Sequence, residues 1–280
     1  MSEQDRSLRP EDYAEPRCLL GGERYGSAQE IVSVPQQRIA QRLDEYLSRR
    51  DYAGAERHLL YWLEEARLGR DLRGELFLCN ELVGHYRKNA QRENALRYAG
   101  RALALLDEAG FGVSVTAGTT LINAATAYSA FGENERALAL FERAKTICES
   151  LPDPSPQLLG GLYNNMATVC AALGRCDDAL ALYEQATAQM LRVPGSAPER
   201  AVTCLNMADA VAAAQGLEAG EARITELLER AYALLQDESA PRDGNYAFVC
   251  EKCAPAFAYY GYFAAAEELE RTAKEIYERA

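Results

Sequence analysis

Residues 121–147 read LINAATAYSAFGENERALALFERAKTI, and residues 162–190 read LYNNMATVCAALGRCDDALALYEQATAQM. In the first stretch Ala125, Tyr128, Gly132, Ala137, Phe141 and Ala144 stand 3, 4, 5, 4 and 3 residues apart. Ala167, Cys170, Gly174, Ala179, Tyr183 and Ala186 repeat the same spacings. Separations of three and four put side chains on one face of a helix. The gap of five, opened by a glycine, is a tight turn between two antiparallel helices. Each stretch therefore predicts a helix hairpin, with small residues where the helices approach and larger ones filling the opposing grooves.

The frame extends in both directions. Ala254, Phe257, Gly261, Ala266, Glu270 and Ala273 keep it near the C-terminus. Fainter copies are Val83, Tyr86, Ala90, Ala95, Ala99, Ala102 and Leu43, Tyr46, Arg50, Ala55, Leu59, Trp62. Ala208, Val211 and Gln215 begin another copy, which resumes four residues late at Ile224, Leu228 and Ala231. That slip, within Leu217 to Gly220, reads as one lengthened interhelical turn. The first frame residues fall at 43, 83, 125, 167, 208 and 254, so the period is about 42 once the slip is removed. Breaker-rich connections, SLPDPSP at 150–156, VPGSAP at 193–198 and DESAPRDG at 237–244, separate the copies. No strand-like alternation of any length occurs. A hairpin cannot bury its apolar stripe alone, so the copies are expected to stack into one core.

This frame of small, aromatic, glycine, alanine, aromatic and alanine residues resembles the tetratricopeptide repeat family over roughly residues 35–280. The period exceeds the ~34 residues usual for that repeat, and with the LxN(N)xA pattern of several first helices it is similar to the kinesin light chain subclass. The resemblance implies an all-α, right-handed superhelical solenoid of six helix-hairpin repeats, at 35–71, 72–113, 114–155, 156–197, 198–242 and 243–280. It also implies that the chain binds a protein or peptide and catalyses nothing. Residues 1–34 lie outside the frame. They are expected to be a partly ordered extension that covers the first hairpin, or else a segment that folds into a groove as an internal ligand.

Bulk properties point the same way. The net charge of −12, from 30 basic and 42 acidic residues, disfavours nucleic acid or an anionic membrane as partner. No stretch approaches the ~20 apolar residues of a membrane span. The N-terminal MSEQDRSLRPEDYAEP lacks the basic start and apolar core of a secretory signal. The expected location is cytoplasmic, where the eight cysteines would be reduced thiols.

Candidate binding residues come from the first helices, which line the concave side of such a solenoid. Asn123, Asn165 and Asn206 each precede the small frame residue by two, and so point away from its packing direction. Asn80, Asn164, Thr126, Thr168 and Asp209 fall nearby on that face. An amide both donates and accepts, so it can meet either group of an extended peptide backbone. In the resembling family such asparagines hold ligand main chain. The alternative is that these residues are solvated, or hydrogen-bond between neighbouring helices and set the stacking. Only Arg87, Lys88 and Lys252 are basic near the face, so a clamp for a C-terminal carboxylate is not expected.

Other chemistry is less well supported. Cys250-Glu-Lys-Cys253 has the CxxC spacing of a redox or zinc half-site, but both thiols occupy apolar positions and no second pair accompanies them. His58 and His85 pair with no nucleophile by spacing. No phosphate-cradling glycine loop is present, and no cofactor or metal is implied. Besides an adaptor for an extended segment, a regulator closing on a signalling peptide, or a structural subunit using its ends or convex face, also fits. In the last helix Leu269, Ala273 and Ile276 keep an apolar register that could meet a second copy as a homo-dimer.

Overall fold

The computed structural model describes residues 31–237 and 239–279, and every regular element among them is an α-helix. The roles of residues 1–30 as cap or internal ligand lie outside the described residues. The chain divides into two compact units, up to Glu133 and from Asn134. The first holds α1 (Gln36–Ser48), α2 (Tyr52–Leu68), α3 (Leu72–Lys88), α4 (Arg92–Glu108) and α5 (Val115–Ala130). The second holds α6 (Asn134–Glu149), α7 (Pro156–Ala172), α8 (Cys176–Met190), α9 (Ala197–Gln215), α10 (Leu217–Leu235), α11 (Gly244–Tyr259) and α12 (Phe263–Arg279). Within each unit consecutive helices pack on one another, α10 and α11 excepted, and first helices of neighbouring repeats also meet: α3 with α5, α7 with α9, and α9 with α11.

The frame residues form the cores of both units. Ala55, Ala95, Ala99, Ala137, Ala144, Ala167 and Ala208 are fully buried, and Tyr86, Phe141, Tyr183 and Phe257 fill the spaces between helices. Alanine leaves no side chain to hold two backbones apart, and each buried aromatic ring removes a large apolar area from water. Gly174 and Gly261 sit at φ of +75° and +85°, where a Cβ would crowd the backbone, and so form the reversals between paired helices. In the fainter copies Arg50 and Ala90 adopt the same left-handed region at +55° without glycine.

In the fifth copy the four extra residues do not lengthen a turn. Gly216, at φ +80°, is the entire connection, and Leu217 to Gly220 form the first turn of α10. Leucine, glutamate and alanine favour the helix. Gly220 allows α10 to lie against Val211, whose side chain a Cβ there would meet at 2.9 Å. The slip in the frame is thus an added helical turn.

In the first unit α2 and α3 are joined as tightly as the paired helices are, through Gly69, Arg70 and Asp71. The Asp71 carboxylate accepts from Gly74 N–H at 2.9 Å and from Val34 N–H at 2.9 Å, while Val32 N–H donates to the Gly69 carbonyl at 3.0 Å. Residues 32–34 are thereby stitched along this turn. In α12, Leu269 and Ala273 are buried in the second unit and Ile276 is half-buried, so most of that register is used within the chain.

Candidate partner-binding faces

Each unit carries a polar clasp between first helices, built from the same residue types. In the first unit Asn80, on α3, donates from Nδ2 to Thr120 Oγ1 on α5 at 2.9 Å and to the Leu76 carbonyl at 3.1 Å. Its Oδ1 accepts from Asn123 Nδ2 at 3.1 Å. In the second unit Asn164 Oδ1, on α7, accepts from Thr203 Oγ1 at 3.1 Å and from Asn206 Nδ2 at 3.4 Å, both on α9. Thr120 and Thr203 are buried and the four asparagines half-buried, so the hydroxyls anchor the clasps and the amides reach the surface. A buried hydroxyl left without a partner would be destabilising, and the facing amide supplies one.

The register explains the pairing. Asn80 and Asn164 precede their small frame residues by three, whereas Asn123 and Asn206 precede theirs by two and carry a threonine one turn earlier, at Thr120 and Thr203. Alternate repeats thus supply the two halves of a clasp. Both threonines lay outside the sequence-based candidates. Their signal was the shared Thr-x-x-Asn spacing at 120–123 and 203–206.

The remaining candidates divide. Asn165 is half-buried and makes no side-chain hydrogen bond among the described residues. Thr126 and Thr168 donate to the carbonyls of Ile122 and Asn164, one turn back on their own helices, at 2.8 and 3.0 Å. Thr168 also meets the Tyr183 hydroxyl at 3.1 Å. Asp209 is exposed and accepts from the Tyr260 hydroxyl on α11 at 2.8 Å. Burial, joined by that hydrogen bond and by the Asp209 charge, pushes the Tyr260 phenol up, so it stays a donor. On the first unit's face Glu81 is half-buried, and burial, with Asp44 nearby, pushes its carboxyl up.

Each clasp leaves hydrogen-bonding capacity unspent. An amide offers two N–H donors and a carbonyl acceptor. Asn123 and Asn206 each use one N–H among the described residues, leaving one donor and the acceptor toward the surface.

The CxxC thiols are structural. Cys250 and Cys253 are buried, and burial pushes them up to about 11 and about 12, so both are neutral thiols near neutrality. No group of three or more metal-ligating side chains occurs among the described residues. His58 is packed inside the first unit, where Nε2 lies 3.3 Å from the Ile39 carbonyl. His85 is buried too, and burial holds it below the ordinary histidine value. No helix among the described residues is long and apolar enough to cross a membrane.

The hairpins and their packing define a helical-repeat fold of paired antiparallel helices. Residues 120–155 match the tetratricopeptide repeat family directly. Among solved structures, the fold is similar to the nearly identical TPR-like repeats of a putative kinesin light chain from Podosopora anserina. That likeness has a TM-score of 0.51 and 22% identity, and covers 72% of this chain and 94% of that one. BtubC (BKLC) from P. vanneervenii is similar over 87% of this chain and 91% of its own, at TM-score 0.51 and 16% identity. A Rap protein complexed with Competence and Sporulation Factor is similar over 87% of this chain and 75% of its own, at TM-score 0.51 and 13% identity. No match to this sequence is found among curated proteins.

Proposed function

We propose that the protein is an interaction scaffold, in which the first-helix face of each unit binds an extended backbone, through Asn123 in the first unit and Asn206 in the second. The observation that carries this reading is the unspent donor and acceptor on each half-buried amide. The clasp to Asn80 or Asn164 holds the amide in place, so little rotamer freedom is lost when a ligand backbone arrives. An extended peptide presents alternating N–H and C=O groups that such an amide can meet. The stacked hairpins lend themselves to this work because they expose long, regular faces. A protein of similar fold is solved in complex with a factor, which supports ligand uptake by this architecture.

The test is a peptide-display selection on the full chain, run beside an Asn123→Ala, Asn206→Ala variant first shown to unfold at the parent's temperature. Removing a ligand hydrogen bond of ~1 kcal/mol at either face predicts a loss of about 5-fold for the peptides that face enriches. Equal binding by the two proteins would leave the clasps as stacking devices only.

A further inference from the structure

Two departures from the repeat converge on one cleft in the second unit. The first is the added turn of α10, which places Leu217, Glu218 and Glu221 along one wall. The second is the aromatic run Tyr259-Tyr260-Gly261-Tyr262-Phe263 at the α11–α12 turn, where the matching turns read AFGEN and ALGRC. Tyr259, Tyr260 and Tyr262 form the opposite wall of an open cleft of about 550 Å³.

The cleft has apolar and anionic character together. Tyr259 is 70% exposed and Leu217 54%. Aromatic and aliphatic side chains so placed contribute nothing to the core of their own unit. Glu218 and Glu221 are exposed and make no ion pair among the described residues. Tyr260 is held upright by its hydrogen bond to Asp209, a third carboxylate at this edge. Tyrosine rings attract a cation over their faces, the carboxylates attract it by charge, and the leucine offers apolar contact.

We infer that this cleft docks a partner segment carrying arginine or lysine beside an apolar residue. The net charge of −12 favours a basic partner over an acidic one. Arginine fits best, because its planar guanidinium stacks on tyrosine while its N–H groups reach a carboxylate. The cleft is separate from the Asn206 amide, which does not line it.

The probes are three fluorescein-labelled peptides, Gly-Ser-Leu-X-Leu-X-Leu-Ser-Gly with X as arginine, glutamine or glutamate, titrated against the full chain by fluorescence anisotropy. The arginine peptide should bind on the order of 10-fold tighter than the glutamine peptide, and the glutamate peptide not at all. Glu218→Lys with Glu221→Lys should weaken the arginine peptide on the order of 10-fold, and Tyr259→Ala about 5-fold. Glu142→Lys with Glu184→Lys, on exposed positions elsewhere in the unit, should leave it unchanged. Equal affinity for the arginine and glutamine peptides would overturn the assignment, as would equal loss from the two charge reversals. A concentration-dependent dimer abolished by Tyr259→Ala would show that a second copy covers the cleft instead, which also overturns it. Loss on Asn206→Ala alone would refute this cleft while leaving the first-helix reading intact.

Discussion

The two units solve the same reversal of chain direction in different ways. The second turns on Gly174, Gly216 and Gly261, all at positive φ, and separates its repeats by breaker-rich connections such as 191–196. The first turns on Arg50, Arg70 and Ala90 at φ of 54–55°, and joins α2 to α3 as tightly as it joins paired helices. A side chain in the left-handed region costs about 1–2 kcal/mol. Asp51 and Asp71, which follow two of these turns, accept from the N–H groups of Gly54 and Gly74 at 2.8 and 2.9 Å. An N-cap of that kind contributes about 1 kcal/mol, which offsets most of the strain. No side-chain cap follows Gly174 or Gly216. Two sequences that share few motif residues thus reach one backbone geometry, with strain and capping balanced differently.

The cores differ as well. The first unit buries Glu75, which accepts from Arg101 at 2.9 and 3.0 Å and from Arg67 at 3.0 Å, whereas the second buries no acidic side chain among its described residues. Burial alone would push the Glu75 carboxyl up, but hydrogen bonds and charge from Arg101 and Arg67 outweigh it and hold the carboxyl below the ordinary glutamate value. A depressed folded value means that this stabilisation is complete above the unfolded glutamate value and lost as pH falls through the folded one.

The largest expected effect tests that difference. Glu75→Ala removes three charge-assisted hydrogen bonds, from Arg67 and from Arg101, which keeps its pair with Glu108, and should destabilise the first unit by about 3 kcal/mol. Urea unfolding should show this at pH 7 and show a smaller gap from the parent at pH 3. A gap that stays constant with pH would detach the effect from the carboxylate.

Next come the turns, which should respond with opposite signs. Gly174→Ala and Gly261→Ala should each cost about 1–2 kcal/mol, while Ala90→Gly should stabilise by up to about 1 kcal/mol. Thermal melts of the three variants would break the comparison if all moved the same way. The smallest effect is at the clasps. Asn206→Ala should cost about 0.5–1 kcal/mol, because Asn164 keeps its bond from Thr203.

These differences mark what could be read from sequence alone. The glycine turns made the third, fourth and sixth hairpins plain, since only glycine adopts positive φ without strain. The first two copies were fainter because Arg50 and Ala90 occupy the same geometry and leave no signature. The added turn of α10 was visible as a slip in register, but a slip does not say whether a loop or a helix absorbs it. Gly216 and the packing of Gly220 on Val211 decided that. At the candidate faces the asparagines stood out by position, yet their pairing did not. It depends on which residue of the neighbouring helix lies one turn earlier, and that register exists only once α3 and α5, or α7 and α9, are packed.

Asn123 and Asn206 are proposed to meet a ligand's backbone while Asn80 and Asn164 hold them in place. Side-chain amide resonances report this most directly, in a ¹H–¹⁵N titration of the full chain with a display-selected peptide. The Nδ2–H signals of Asn123, of Asn206 or of both should shift saturably with the peptide, and those of Asn80 and Asn164 should move little. A peptide that binds and shifts other resonances while leaving Asn123 and Asn206 unmoved would contradict this proposal.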